Sequence, residues 1–197
     1  MLYKLAHIIK DKFSFLWEAI EWGNASLFYM LHKKQLAKVN KILEGISPKY
    51  IIRLATNNDV DILVHFFREQ PEGAFKFFRP HEFDEKAVRK VVNNKAFLTF
   101  LVLSDNELVF LRAFVNGKCF RGKMVHKDLQ GRGIAKLMGV AMTKVSQHLD
   151  LRMFGSISSE NYASMASAKA SNEIKIHKTL ENGYYYIEFL PKIKIEK

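Results

Sequence analysis

The stretch Gln130-Gly131-Arg132-Gly133-Ile134-Ala135 constrains this chain more than any other, because it lies where a strand runs into a helix. Ahead of it, an apolar strand-like run ends in Met124-Val125. Behind it, Ile134, Leu137, Met138, Ala141 and Val145 recur on one face of a helix. Glycines at such a junction bare backbone N–H groups at a helix N-terminus, where unpaired donors and the positive end of the dipole attract phosphate. Arg132 adds a guanidinium whose fork suits phosphate oxygens. The pattern predicts a pyrophosphate cradle at a β-to-α turn. It is not a Walker loop, since no Gly-Lys-Ser/Thr triplet follows. Nor is it the dinucleotide fingerprint, which needs three glycines at wider spacing in an early βαβ unit.

The flanking residues predict what feeds the cradle. Ile51 to Ala55 reads as a short strand, and Thr56-Asn57-Asn58-Asp59 is a cluster of capping residues ahead of Val60, Leu63, Val64 and Phe67 at helical spacing. Phe97 to Leu103 and Leu108 to Val115 are β-branched and aromatic runs, with Ser104-Asp105-Asn106 between them as hairpin chemistry. Asn116-Gly117 turns the second run into a third, Lys118 to Val125. Downstream, Arg152 to Ser158 reads as a strand, and Asn161 opens a helix rich in Ala, Met and Ser. Tyr184 to Phe189 alternates as a strand.

Gln130, Gly133 and Ala135 fill the defining positions of the Arg/Gln-x-x-Gly-x-Gly/Ala signature, and in this order of elements the chain resembles the GNAT acetyltransferases over residues 51 to 190. The resemblance implies an α/β (α+β) fold: a mixed, mostly antiparallel sheet flanked by helices, here residues 49–197, behind a helical extension over 1–48. It implies acetyl-coenzyme A as co-substrate, bound by Met124, Val125, Gln130, Gly131, Arg132, Gly133, Ile134 and Ala135. Asn161 and Ser164 fit the spacing at which the family contacts the pantetheine arm. A backbone N–H near Val125 would meet the thioester carbonyl, with the pantetheine pairing along a splayed strand. Two departures stand out. Many members carry a Tyr that protonates the leaving thiolate, and this chain has Ala168 there. If the helix is offset by a turn, Tyr162 is the acid instead. The usual Gly-Phe after the helix is Asn172-Glu173.

Acetyl transfer to an amine needs a neutral nucleophile, and a lysine-like amine has a pKa of about 10.4. Candidate bases are His126, directly after the third run; His81, in the aromatic segment Phe75 to Phe83; and Glu107, at a strand start. The Phe78-Arg79-Pro80-His81 string looks like one in GNAT proteins of surface-polysaccharide synthesis. That likeness implies a nucleotide-linked amino sugar as acceptor, with Arg79 on its phosphates. The expected partner is therefore a small-molecule primary amine.

Composition narrows the rest. Hydrophobic residues make up 48% of 197, with 16 Phe, which is ample for a core. One cysteine excludes a disulfide framework, and the seven histidines show no ligand spacing, so no metal is expected. The net charge of +11 comes from scattered lysines without a recognition motif, so no specific nucleic acid is expected. No cleavable signal or uncharged run of membrane-spanning length is evident, which points to a cytoplasmic protein.

In the extension, Leu2, Leu5, Ile9, Phe13, Leu16 and Ile20 predict one amphipathic helix, broken at Trp22-Gly23-Asn24. Leu27, Leu31, Val39, Ile42 and Leu43 predict a second. These stripes need cover from the catalytic domain, a second subunit or lipid. Glu18 and Glu21 among the tryptophans point to a protein surface, the domain itself or a homo-oligomer, with weak membrane association through 1–48 as the alternative. Two other readings stand beside the enzyme: a coenzyme A-binding or interaction module that has lost catalysis, and a peripheral membrane protein led by its N-terminal helices.

Overall fold

A computed structural model describes residues 14–78, 82–103, 107–113 and 117–192, and within β3 it describes the backbone only. Residues 1–13, Ser104-Asp105-Asn106, Asn116, and Arg79 and His81 of the aromatic segment lie outside that range. The elements run α1 (Ser14–Leu36), α2 (Val39–Glu44), β1 (Ile51–Leu54), α3 (Val60–Glu69), α4 (Glu85–Asn93), β2 (Phe97–Leu103), β3 (Glu107–Ala113), β4 (Lys118–Lys123), α5 (Ile134–His148), β5 (Arg152–Ser158), α6 (Tyr162–Ser171), β6 (Asn172–Thr179) and β7 (Tyr184–Pro191). The seven strands form one sheet in the order β1-β2-β3-β4-β5-β7-β6. Only β4 and β5 pair in parallel; every other pair is antiparallel. This is the mixed, mostly antiparallel sheet that the resemblance implies.

Both sheet faces are covered, which explains why β2 is apolar at every position but Thr99. Leu98, Phe100 and Val102 enter a core with Phe28 of α1, Val39 and Leu43 of α2, and Met138, Met142 and Val145 of α5. Leu101 faces the other way, into a cluster with Val60, Leu63, Val64, Phe66 and Phe67 of α3 and Val88 of α4. A strand buried on both faces loses its polar alternation.

The helix starts follow the capping residues. The Asp59 carboxylate accepts from Thr56 N at 2.7 Å and from Thr56 Oγ1 at 2.8 Å, while Arg53 grips both its oxygens at 2.6 and 2.7 Å. Those bonds, the arginine's first, hold the Asp59 carboxyl down at about 2 against an ordinary 3.8. At the far side of the sheet, Glu188, only 5% exposed, is held at about 2 by Arg152 and then by His177. The fold holds both groups as carboxylates, so their stabilisation is complete above about pH 4 to 5 and lost as pH falls through about 2. Denaturant titrations across this window are expected to show Asp59→Asn flattening the acid loss by about 2 kcal/mol.

The N-terminal helices differ from the sequence expectation. Trp22-Gly23-Asn24 does not break the helix: α1 runs through Gly23 and ends at Leu36. A helical glycine costs about 1 kcal/mol, too little to stop a 23-residue helix anchored by packing. The buried anchor is Phe28, at 0% exposed, while the expected stripe residues Leu16, Ile20, Leu27 and Leu31 are 44–57% exposed. Further along, Val39 and Leu43 are fully buried, Leu54 N donates to Asn40 Oδ1 at 2.9 Å, and the His148 ring nitrogen lies 3.0 Å from the Gln35 carbonyl. No described helix is long and apolar enough to cross a membrane.

Candidate active site

The site begins where two strands part. β4 and β5 pair only at Lys118↔Arg152, Cys119↔Met153 and Phe120↔Phe154. Beyond that, β4 stays with β3 and β5 stays with β7, so the facing edges of Arg121 to Val125 and Gly155 to Ser158 open as a fork. Gly155 sits at its apex: a Cβ there would meet the Phe189 ring at 3.0 Å and the Arg121 carbonyl at 3.2 Å. Open strand edges leave backbone donors and acceptors available to an extended ligand.

The fork leads directly to the cradle. After the 3₁₀ turn Lys127–Leu129, Gly131 and Gly133 both take φ near +79°, a left-handed conformation that costs glycine nothing, and α5 starts at Ile134. No side chain caps this helix, which leaves its first N–H groups without a side-chain partner at the edge of the cleft lined by Gly133, Ile134 and Ala135. A continuous cavity of about 700 Å³ joins the two, lined by β4, the cradle, β5, α6 and the turn around Phe77 and Phe78.

Of the residues expected at the cofactor site, Met124, Val125, Gln130, Gly131, Gly133, Ile134, Ala135, Asn161 and Ser164 all line this cavity. Arg132 does not; its guanidinium reaches back to within 3.4 Å of the Asp128 carbonyl. Lys136, in the first turn of α5, lines the cavity beside the cradle. Gln130 Nε2 comes within 3.5 Å of the Val125 carbonyl, drawing the loop against the strand. Asn161 caps α6, its Oδ1 accepting from Ser164 N at 3.0 Å.

The candidate bases are not brought together. His126 borders Val125 but does not line the cavity. Its Nδ1 accepts from Asp128 N at 3.3 Å, and its Nε2 lies 3.8 Å from a Glu69 carboxylate oxygen. Glu107 opens β3, but its side chain is not among those described, and His81 lies outside the described residues. In the aromatic segment, Phe83 stacks on Phe67 at 4.0 Å and draws in Phe75 at 5.2 Å, while Phe77 and Phe78 line the cavity. Tyr162 is 80% exposed and is not among the residues lining the cavity. Ala168 is fully enclosed in the core.

Three polar residues of the site are not among those expected from the sequence. Arg121 lies on the β4 face turned to the helices. It stacks 3.4 Å over the Phe189 ring and donates to Asn172 Oδ1 at 2.8 Å, and Asn172 in turn donates to Thr143 Oγ1 at 2.6 Å. This buried network accounts for Asn172 in place of the glycine expected there. Burial pushes the Arg121 guanidinium down to about 9, still charged at neutral pH. Two residues on, Lys123 donates to the Ala135 carbonyl at 2.7 Å and to the hydroxyl of Ser167, the third. Burial first, then the neighbouring Arg121, brings its ammonium from 10.5 to about 7. The available signal was the alternation Cys119, Arg121, Lys123 on a face that α5 must cover.

Fork, left-handed glycines and helix N-terminus in this order define the GNAT fold, and comparison with solved structures bears this out. The GNAT domain of S. lividans PAT superposes with a TM-score of 0.61 at 16% identity, covering 71% of this chain and 89% of that one. PaiA N-acetyltransferase from Thermoplasma acidophilum, solved with coenzyme A, gives 0.60 at 11% identity over 72% and 98%. Aminoglycoside acetyltransferase AAC(6')-Ib, solved with coenzyme A and kanamycin, gives 0.55 at 11% identity over 72% and 94%. No family model matches the sequence. No curated protein matches it either.

Proposed function

We propose that this protein is an N-acetyltransferase that moves the acetyl group of acetyl-coenzyme A to the primary amine of a small molecule. The observation that carries the reading is the single cavity joining the β4–β5 fork to the glycine cradle at the start of α5. The cradle suits the pyrophosphate, with Lys136 as its cation, and the fork suits the pantetheine arm, whose amides pair with open strand edges. Holding thioester and amine in line is the largest single contribution, since orientation alone supplies several kcal/mol. A backbone N–H at the fork, near Val125, stabilises the developing oxyanion.

The lining bears on the acceptor. Its charged members among the described residues are Arg121, Lys123 and Lys136, with no carboxylate. Such a wall repels polycations and favours an amine carried on an anionic group, consistent with an amino sugar linked to a nucleotide. Phe77 and Phe78 supply an apolar surface for a sugar ring or base. The test is calorimetry with acetyl-coenzyme A, followed by thiol-release assays over amines that include nucleotide-linked amino sugars and polyamines. Turnover is expected with the former. Tight cofactor binding without turnover of any amine would favour the module that has lost catalysis, a reading that the enclosed Ala168 keeps in view.

A further inference from the structure

Lys123 is a part-buried cation without a carboxylate partner among the described residues, set in the wall of a cavity. Burying a charge unpaired is costly, and packing alone would be served better by Leu or Met at this strand position. An ammonium has three N–H donors. Two are engaged by the Ala135 carbonyl and the Ser167 hydroxyl, which leaves one for a group entering the fork. Ser167 directly precedes Ala168, the place where the GNAT pattern puts its tyrosine, and that place is closed.

We propose that Lys123 is a catalytic residue of the acetyl transfer set out above, its ammonium giving the departing coenzyme A sulfur its proton. The inference rests on that reading of the site. In the step, the neutral amine nitrogen bonds to the thioester carbonyl carbon, and the C–S bond breaks with its electron pair going to sulfur. One proton passes from Lys123 Nζ to the sulfur. The proton displaced from the acceptor nitrogen returns to Nζ through the Ser167 hydroxyl or cleft water. Products are the amide, the coenzyme A thiol and the restored ammonium. A proton affinity near neutrality suits a donor that must be reloaded each cycle. The other charged groups lining the cleft are Arg121 from β4 and Lys136 from α5; β5 and α6 present only neutral side chains to it.

The test reads the sulfur directly and needs no acceptor. Coenzyme A is bound to the full-length protein and to K123M, and ionisation of the bound thiol is followed through its ultraviolet thiolate absorbance across pH. The thiol is expected to ionise at least one pH unit lower in the native protein, a tenfold change in proton affinity, with K123R retaining most of the effect. Equal ionisation in native and K123M proteins, with coenzyme A bound to both, overturns the proposal. Failure of coenzyme A to bind the native chain overturns the acetyltransferase reading itself, and the two failures are distinct in calorimetry. Should K123M fail to fold, lysine side-chain NMR of the native protein decides. The Lys123 resonance is expected to titrate at least one unit higher with coenzyme A than with its desulfo analogue. An equal response to both overturns the proposal, because Lys123 would then be answering the phosphates rather than the sulfur.

Discussion

Gly133→Asp is expected to lower the affinity for coenzyme A at least tenfold, a loss of about 1.4 kcal/mol or more. Two effects add. Gly133 holds φ +79°, where a side chain costs about 1–2 kcal/mol of backbone strain, though Asp and Asn are among the residues that tolerate it best. The new carboxylate also stands at the positive end of α5, where the cofactor's pyrophosphate would lie. No heavy atom lies within 4 Å of the added Cβ, so the fold is expected to survive. Gly133→Asn separates the two effects, since it shares the shape and the strain but not the charge. Calorimetry should rank affinity native above Asn above Asp. Unchanged affinity in the Asp variant would remove the cradle from the cofactor site.

Phe28→Ala is expected to cost about 3–5 kcal/mol of folding stability, a large part of the roughly 5–15 kcal/mol that domains possess. Phe28 is 0% exposed, packs against His32 at a ring separation of 4.6 Å, and shares its core with Val39, Leu43, Phe100 and Met142. The nearby Trp22 is 74% exposed, and Trp22→Ala should change stability by less than about 0.5 kcal/mol. Urea unfolding of the two variants gives the contrast. Equal effects would mean that α1 is not docked on the sheet in solution.

The contrast between Phe28 and Trp22 also shows where pattern reading ends. Apolar spacing predicted helices in the first 48 residues, and Glu18 and Glu21 pointed to protein cover over lipid, with domain and subunit left open. The spacing selected Leu16, Ile20, Leu27 and Leu31, which remain 44–57% exposed, together with Val39 and Leu43, which are fully buried. A helical period specifies which residues share a face, but not which face meets a neighbour. That choice belongs to the sheet, which receives α1 through Phe28 and α2 through Val39 and Leu43. Gly23 misled for a related reason: its local cost is small against the cooperative stability of a packed helix.

What the sequence determined by itself was whatever local physics decides. The Thr56–Asp59 capping box, the turn at Gly117, the doubly buried run Phe97–Leu103 and the two left-handed glycines ahead of α5 each follow from a few adjacent residues. Together they suffice for the order of elements and for the position of the cradle. Only the tertiary structure decided that Arg121 and Lys123 are partly buried beneath α5 and α6, in the wall of the cavity. Their burial depends on where β4 leaves β5 and how closely α6 approaches α5, where Gly139 leaves room for Ser171. Neither is a property of any short window. Desolvation follows burial, so the chemistry of Lys123 follows from contacts between residues far apart in the chain.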